Sequence, residues 1–435
     1  MRFLQSSRRA YQFILVVLDM IVVILSSQAF LKVFHIHLAL ADSVIWGLVL
    51  VFILYLIGSF GQTNQGRVAV RMSVILFSII TANFIIYPLL SGNDRIRIAY
   101  SASEMLTLLC VIGALHEAFY RHIDSHKQRL LIYLSRHNKK SYMDIQPQIE
   151  FVYQPVEVIY DNDQSPPTYN GHSHEKADII VVDSHYKMAD KLAKSLLTFK
   201  SKGNDVISFV ELYSGITGRL PLKMIDIEWF VGGVALNSET VRNRRVKRVF
   251  DLLLATHLCV LFVIPMAIIW IAIYLFDGRP VIFRQVRLGK FGNEFNLYKF
   301  RTMHNNAEDG GPKWTDYNDN RITRTGNWLR RFHLDELPQL FNVLRGDISI
   351  VGPRPIRRYF TDILISRFPL YELRLLVNPG ITGWAQVLGP YGHDMKEEMV
   401  KLEYDLYYIQ NSNILHDIYV VFGTVRKMLL PWRYG

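Results

Sequence analysis

Residues 332–355, FHLDELPQLFNVLRGDISIVGPRP, set two adjacent carboxylates among arginines. Asp335 and Glu336 open an apolar-periodic segment, Arg330 and Arg331 come just before them, and Arg354 stands between Pro353 and Pro355 after it. Adjacent acids repel each other. Keeping both ionised takes counter-charge, from these arginines or from a divalent cation with hard oxygen ligands. A cluster that holds anions and a metal together suits chemistry on a phosphate. The same letters also have a plainer reading, with Asp335 as a helix N-cap, Glu336 and Pro338 in the first turn, and arginines on a solvated face.

The scaffold behind these residues is read from composition. The chain has 435 residues, enough for two or three domains, and half of them are hydrophobic and concentrated in blocks. That pattern points to a membrane protein with soluble parts. A net charge of +11 suits anionic lipid and phosphorylated substrates; no nucleic-acid motif accompanies it. Cys110 and Cys259 both lie in apolar runs, which argues against a disulfide framework or a cysteine metal site. Apolar segments near 12–33, 43–60, 72–90 and 101–120 approach the ~20 residues that a spanning helix needs. Arg2, Arg8 and Arg9 before the first span, Arg67 and Arg71 after the second, and the basic run from Arg121 to Lys140 predict a cytoplasmic amino terminus.

From Arg129 to Trp229 the pattern changes to short β-rich runs, LLIYL (130–134), VEVIY (156–160), ADIIVVD (177–183) and DVISFV (205–210), with a helical stretch near 186–200. This predicts a small parallel α/β domain. The first turn reads SRHNKKS and lacks the glycines that bring backbone amides to a pyrophosphate, so the domain is read as structural or regulatory. His172, His174 and His185 are read as ordinary exposed histidines.

A fifth apolar run, Val249 to Phe276, is basic on both flanks: Arg242, Arg244, Arg245, Lys247 and Arg248 before it, Arg279, Arg284, Arg287 and Lys290 after it. A simple crossing leaves one positive cluster outside. Pro265 near its middle removes a backbone donor. A helix-break-helix hairpin returning to the cytoplasmic side satisfies both facts, and a kinked fifth span is the alternative.

From Lys247 to about Leu430 the chain resembles the bacterial sugar transferases, the polyprenyl-phosphate glycosyl-1-phosphate transferases that begin surface polysaccharide assembly. The resemblance rests on six motifs in order: KRVFD (247–251), FRQVRLG (283–289), YKFRTM (298–303), LDELPQLFNVLRGDISIVGPRP (334–355), NPGITGWAQV (378–387) and YDLYYI (404–409). The layout is similar to the long members of the family, and GRLP (218–221), Trp229 and PYG (390–392) are similar to an exosortase-associated exopolysaccharide subgroup. The fold implied is a membrane protein of α plus α/β type. It has a four-helix transmembrane bundle (1–125), a degenerate Rossmann-like domain without a cofactor site (126–240), and a mostly helical catalytic domain with a re-entrant membrane helix broken at Pro265 (241–435).

The resemblance also implies a two-step reaction at the cytoplasmic face of the bacterial inner membrane. Asp335 attacks the β-phosphorus of a UDP-sugar and releases UMP, and undecaprenyl phosphate then takes the sugar phosphate from the enzyme. Glu336 matches the position that holds Mg²⁺. Lys299, Arg301, Arg330 and Arg354 match phosphate or nucleotide positions, with Arg284, Gln285 and Arg287 as further contacts, and a homodimer is implied as well. Among the other residues of these motifs, Gly380 and Gly383 are read as turn residues, Trp384 as core, and Tyr404, Tyr407 and Tyr408 as packing. The segment 413–430 is expected along the membrane surface. This chain departs from the family at Ile264, where a small polar residue is common, and at Asn320, where proline is common. Two alternatives stay open: a glycosyltransferase that releases UDP, and a non-catalytic scaffold. No residue selects the sugar.

Overall fold

The computed structural model describes residues 127–161, 176–186, 190–226, 229, 241–307, 311, 319–390 and 394–429. The four expected spans of 1–125 and the residues His172 and His174 lie outside these. The chain divides into two compact units between Gly215 and Ile216.

In the first unit, β1 (Arg129–Leu134), α1 (Lys139–Val152), β2 (Gln154–Tyr160), β3 (Ile179–Val182), α2 (Asp190–Ser201) and β4 (Asp205–Ser208) follow in order, and α3 (Phe209–Thr217) runs over the boundary. All four strands are parallel, in the order β2-β1-β3-β4. Central β1 is buried from Leu130 to Leu134, as an apolar run in a parallel sheet requires. Leu131, Tyr133 and Ile180 pack with Leu192, Leu196 and Phe199 of α2. The DVISFV run is strand only as far as Ser208. Ser208 Oγ accepts from Glu211 N at 3.1 Å and Glu211 Oε2 accepts from Ser208 N at 2.8 Å, a reciprocal cap that starts α3 at Phe209. Helix α1, for which the sequence reading has no counterpart, carries Pro147 inside it. The His185 side chain is half exposed, as expected.

The second unit holds α4 (Val241–Phe276), the antiparallel hairpin β5 (Ile282–Leu288) and β6 (Glu294–Phe300), and α5 (Arg324–Arg331). After a 3-10 turn (Leu334–Glu336) come α6 (Gln339–Arg345), β7 (Ser349–Val351), α7 (Arg358–Arg367), β8 (Gly380–Thr382), α8 (Trp384–Leu388), α9 (Met395–Asn411) and α10 (Ile414–Leu429). It is mostly helical, with β7 and β8 pairing in parallel.

Helix α4 is one element of 36 residues with Pro265 inside it, so the expected break does not divide it in two. Its Arg244–Phe276 stretch is the one helix among the described residues long and apolar enough to cross a membrane. The middle faces outward, with Val260, Leu261 and Ile264 about 70% exposed. Both ends are held by the rest of the unit. At the first end, Arg248 donates to the carbonyls of Val343 (2.6 Å) and Leu344 (2.9 Å), which lie among the four final carbonyls that α6 cannot bond internally. Lys247 pairs with Asp417 at 2.7 Å, and the Asp251 carboxylate accepts from Ser349 Oγ and Ile350 N. At the other end Ile269 and Ile273 pack with Val281, Phe300 and Leu329.

Trp384 is buried, lies 6.0 Å from the Tyr407 ring in a stacked arrangement and donates to the Gly218 carbonyl, so it is core as read from sequence. Tyr407 and Tyr408 are buried too. Gly380 and Gly383 are not turn glycines. A Cβ at Gly380 would lie 2.1 Å from Gly352 N and one at Gly383 would lie 2.2 Å from Gly352 O, so both serve close backbone approach beside the Pro353–Arg354–Pro355 loop. Helix α10 is two-faced, with His416, Asp417 and Val420 inside and Leu415, Tyr419 and Phe422 outside.

Candidate active site

The acid pair sits on the 3-10 turn after α5. Thr323 caps that helix by accepting from Gly326 N at 2.9 Å, and His333 reverses the chain in the left-handed region at φ 53°. Leu337 and Pro338 then hold helical dihedrals into α6. Pro338 takes the N-cap position of α6 and no side chain caps that end, so neither Asp335 nor Glu336 is a capping residue for it.

Three distant segments meet at Glu336. Lys299 Nζ of β6 and Arg354 Nη2 of the Pro-Arg-Pro loop each donate to Glu336 Oε1 at 2.7 Å. Burial pushes the Glu336 carboxyl up, but the charges and hydrogen bonds of Arg354 and Lys299 outweigh it and hold the group well below the usual carboxylate range. Asp335 is also buried, yet no side chain or backbone donor bonds its carboxylate among the described residues. Burial raises its pKa and the Glu336 charge adds to that, against Lys299 and Arg330. Two neighbouring acids thus differ in surroundings: Glu336 is a paired anion, and Asp335 is buried without a hydrogen bond to its carboxylate among the described residues. The Arg354 side chain is 45% exposed.

The supports of these groups are buried and polar. Asn342 is fully buried; its Oδ1 accepts from Tyr298 N (3.0 Å) and its Nδ2 donates to Asn296 O (2.8 Å) and Asp347 Oδ2 (2.9 Å). This staples α6 to β6 and so fixes Lys299 against the acid pair. Arg330 Nε donates to Thr302 Oγ1 at 2.9 Å, and α5 rests so closely on Thr302 that a Cβ at Gly326 would lie 2.2 Å from its carbonyl oxygen. Behind Arg354, the buried Arg374 donates to Asp405 at 2.8 Å, to the Tyr371 hydroxyl and to the Arg354 carbonyl at 3.3 Å.

The other sequence-selected residues are more scattered. Arg301 is buried and bound to the carbonyls of Asp277 and Gly278 at the end of α4, with Nη1 on Asn305 Oδ1. On β5, Arg284 is exposed over the Tyr298 ring, while Arg287 donates to Gln285 Oε1 and to the Pro355 carbonyl at 3.3 Å. Pro265 lies in the exposed apolar part of α4. Arg331 is exposed, with its guanidinium over the Phe332 ring. Sequence reasoning gave no role to Asp251, Asn342, Arg374 or Asp405. Asp251 and Asp405 stood within quoted motifs, but their partners lie 98 and 31 residues away.

A cation here would have few protein ligands. Among the described residues no group of three or more His, Cys, Asp or Glu could hold a metal ion. Both bonds to Glu336 end on Oε1, so Oε2 and the carboxylate of the adjacent Asp335 are the oxygens that could ligate a cation. That donor set fits Mg²⁺, which keeps several waters and is commonly bound by one or two carboxylates plus substrate phosphates.

Comparison with known proteins bears on this same part of the chain. The family model for bacterial sugar transferases matches residues 242–431. A UDP-N-acetylgalactosamine-undecaprenyl-phosphate N-acetylgalactosaminephosphotransferase of Aeromonas hydrophila is 42% identical over 184 residues, covering 42% of this chain and 44% of that protein. A UDP-glucose:undecaprenyl-phosphate glucose-1-phosphate transferase of Escherichia coli K12 is 44% identical over 187 residues, 42% of this chain and 40% of that protein. An uncharacterized sugar transferase of Bacillus subtilis is 40% identical over 191 residues, and the match covers 88% of its length. The chain thus spans less than half of the first two relatives and most of the third.

Proposed function

This chain belongs to the bacterial sugar transferase family, and from that premise we propose that it moves a sugar-1-phosphate from a UDP-sugar to undecaprenyl phosphate, releasing UMP, to initiate synthesis of a surface polysaccharide. The observation that carries the reading is the asymmetric acid pair: Glu336 neutralised by Lys299 and Arg354, and Asp335 buried beside it without a hydrogen bond. A carboxylate stripped of water is a stronger nucleophile, provided that nearby cations keep it ionised and absorb the charge of the phosphate it attacks.

In the first step an Asp335 carboxylate oxygen bonds to the β-phosphorus and the bond to UMP breaks, leaving the sugar phosphate on the enzyme. Arg354, half in solvent, and Arg330 bind the phosphate oxygens; a guanidinium fork suits two-point contact with them. In the second step an oxygen of undecaprenyl phosphate attacks the same phosphorus and the Asp335 carboxylate leaves. Mg²⁺, held by Glu336 with Asp335 adjacent, would neutralise charge on the diphosphate. Arg301, Arg284, Gln285 and Arg287 serve as supporting or outer contacts.

A membrane helix that returns to its own side places this site at the level of lipid headgroups, on the cytoplasmic face of the bacterial inner membrane where a UDP-sugar and a lipid phosphate meet. Helix α4 stays one element, so in this reading it returns by bending at Pro265; that both ends of α4 engage the same unit, with Pro265 in the exposed stretch between them, supports it. The four-span anchor of 1–125, the cofactor-free role of 126–240 and a homodimer complete the proposal, resting on sequence resemblance. The test is the leaving nucleotide. Membranes with undecaprenyl phosphate, Mg²⁺ and UDP-glucose or UDP-N-acetylgalactosamine should release UMP, and Asp335→Asn should abolish it. Release of UDP, or full activity in Asp335→Asn, would overturn the reading.

A further inference from the structure

The Gln339 side chain is 98% buried, and among the described residues its Nε2 has no hydrogen-bond partner. A buried donor left unmade is costly, and the favourable alternative, an apolar residue of the same shape, is available to any sequence. The position is informative. The chain holds helical dihedrals from the acid turn through Leu337 and Pro338 into α6, so Gln339 follows Asp335 by four residues and Glu336 by three. In a 3-10 turn residues three apart eclipse, which sets Gln339 over Glu336. The unmatched donor therefore stands one turn from the acid pair. Around the pair, Lys299 Nζ and Arg354 Nη2 already donate to Glu336, and Arg330 Nε donates to Thr302.

We propose that Gln339 is a further catalytic residue, whose carboxamide N–H donates to an oxygen of the sugar-bearing phosphate when the donor substrate is bound. This rests on the phosphosugar-transfer reading above. The neutral amide adds a directed donor without adding charge next to Asp335, where a further cation would make the nucleophile less reactive. It also explains an amide in place of an apolar side chain on the inner face of α6, where its neighbours Leu340 and Val343 are apolar and buried.

The test is Gln339→Met, close in shape and without the donor, in the full-length membrane protein. UMP release and thermal unfolding are measured with UDP-glucose and UDP-N-acetylgalactosamine, using whichever the wild type consumes. The expected result is a midpoint no lower than wild type, a kcat/KM reduced about 10- to 100-fold, the rate change a hydrogen bond to a charged group corresponds to, and a smaller rise in midpoint on adding the nucleotide sugar. Gln339→Glu should be worse than Gln339→Met, because it sets a like charge against the phosphate. Wild-type kcat/KM in Gln339→Met would overturn the proposal, as would a lost activity accompanied by a clearly lower midpoint, which marks a packing role. A wild type that releases UDP or nothing would instead bring down the underlying reading.

Discussion

Replacing Asp251 by alanine should loosen the membrane helix from the catalytic unit and disturb a site it never touches. Asp251 is 3% exposed, and its carboxylate accepts from Ser349 Oγ (2.8 and 3.0 Å) and from Ile350 N (3.0 Å). Ser349 and Ile350 are themselves buried in β7, whose other edge pairs with β8. Alanine leaves a hydroxyl and a backbone N–H buried without an acceptor. Each unmatched group costs about 1–3 kcal/mol, so the variant should lose about 2–6 kcal/mol. For a unit of this size, a melting point moves roughly 2–4 °C per kcal/mol, giving a drop of roughly 4–24 °C. Strand β7 runs directly into Gly352-Pro353-Arg354, so the slackening passes to the Arg354 guanidinium on Glu336. Thermal unfolding in detergent and UMP release, measured on Asp251→Ala and Asp251→Asn, form the assay. Asparagine keeps an acceptor for Ile350 N, and the serine hydroxyl is able to turn and accept from its amide, so Asn should cost less than half as much as Ala. Equal effects of the two changes, or an Asp251→Ala midpoint within about 1 °C of wild type, would refute the reasoning.

Removing Arg354 by alanine leaves Glu336 with Lys299 alone and takes away the proposed phosphate contact; UMP release should fall at least about 100-fold with little change in melting point, measured at saturating nucleotide sugar. Chelation by EDTA should stop turnover yet move the melting point by less than about 2 °C, because the described residues offer no protein cage whose loss would unfold the chain. The Asp319 carboxyl, hydrogen-bonded by Arg321, titrates near 2. Since its folded pKa is depressed, its contribution to stability is complete above the unfolded value of about 3.9 and is lost only as pH falls toward 2. The melting-point difference between wild type and Asp319→Asn should therefore stay constant from pH 5 to 8; a difference that shrinks at pH 5 would place the group higher.

Local patterns carried much of the architecture. The β-rich runs LLIYL and ADIIVVD became central parallel strands, because a strand covered on both faces has to be apolar throughout. Val249 to Phe276 reads from hydropathy alone as a helix long and apolar enough to cross a membrane, and the structure leaves its middle outward-facing. Adjacent acids between arginines announced a site for charge. What one dimension could not give was the pairing. Lys299, Arg354 and Glu336 come from segments 37 and 18 residues apart and share one oxygen atom only because Asn342 pins α6 to β6 and three glycines let β7 and β8 close on each other. Nor does the letter D at 251 or 405 say whether it will meet water, a metal or a buried hydroxyl. Chain patterns fix which faces shun water. Which buried charges face each other is set by long-range packing, because the cost of an unmatched polar group is decided only when its surroundings close around it.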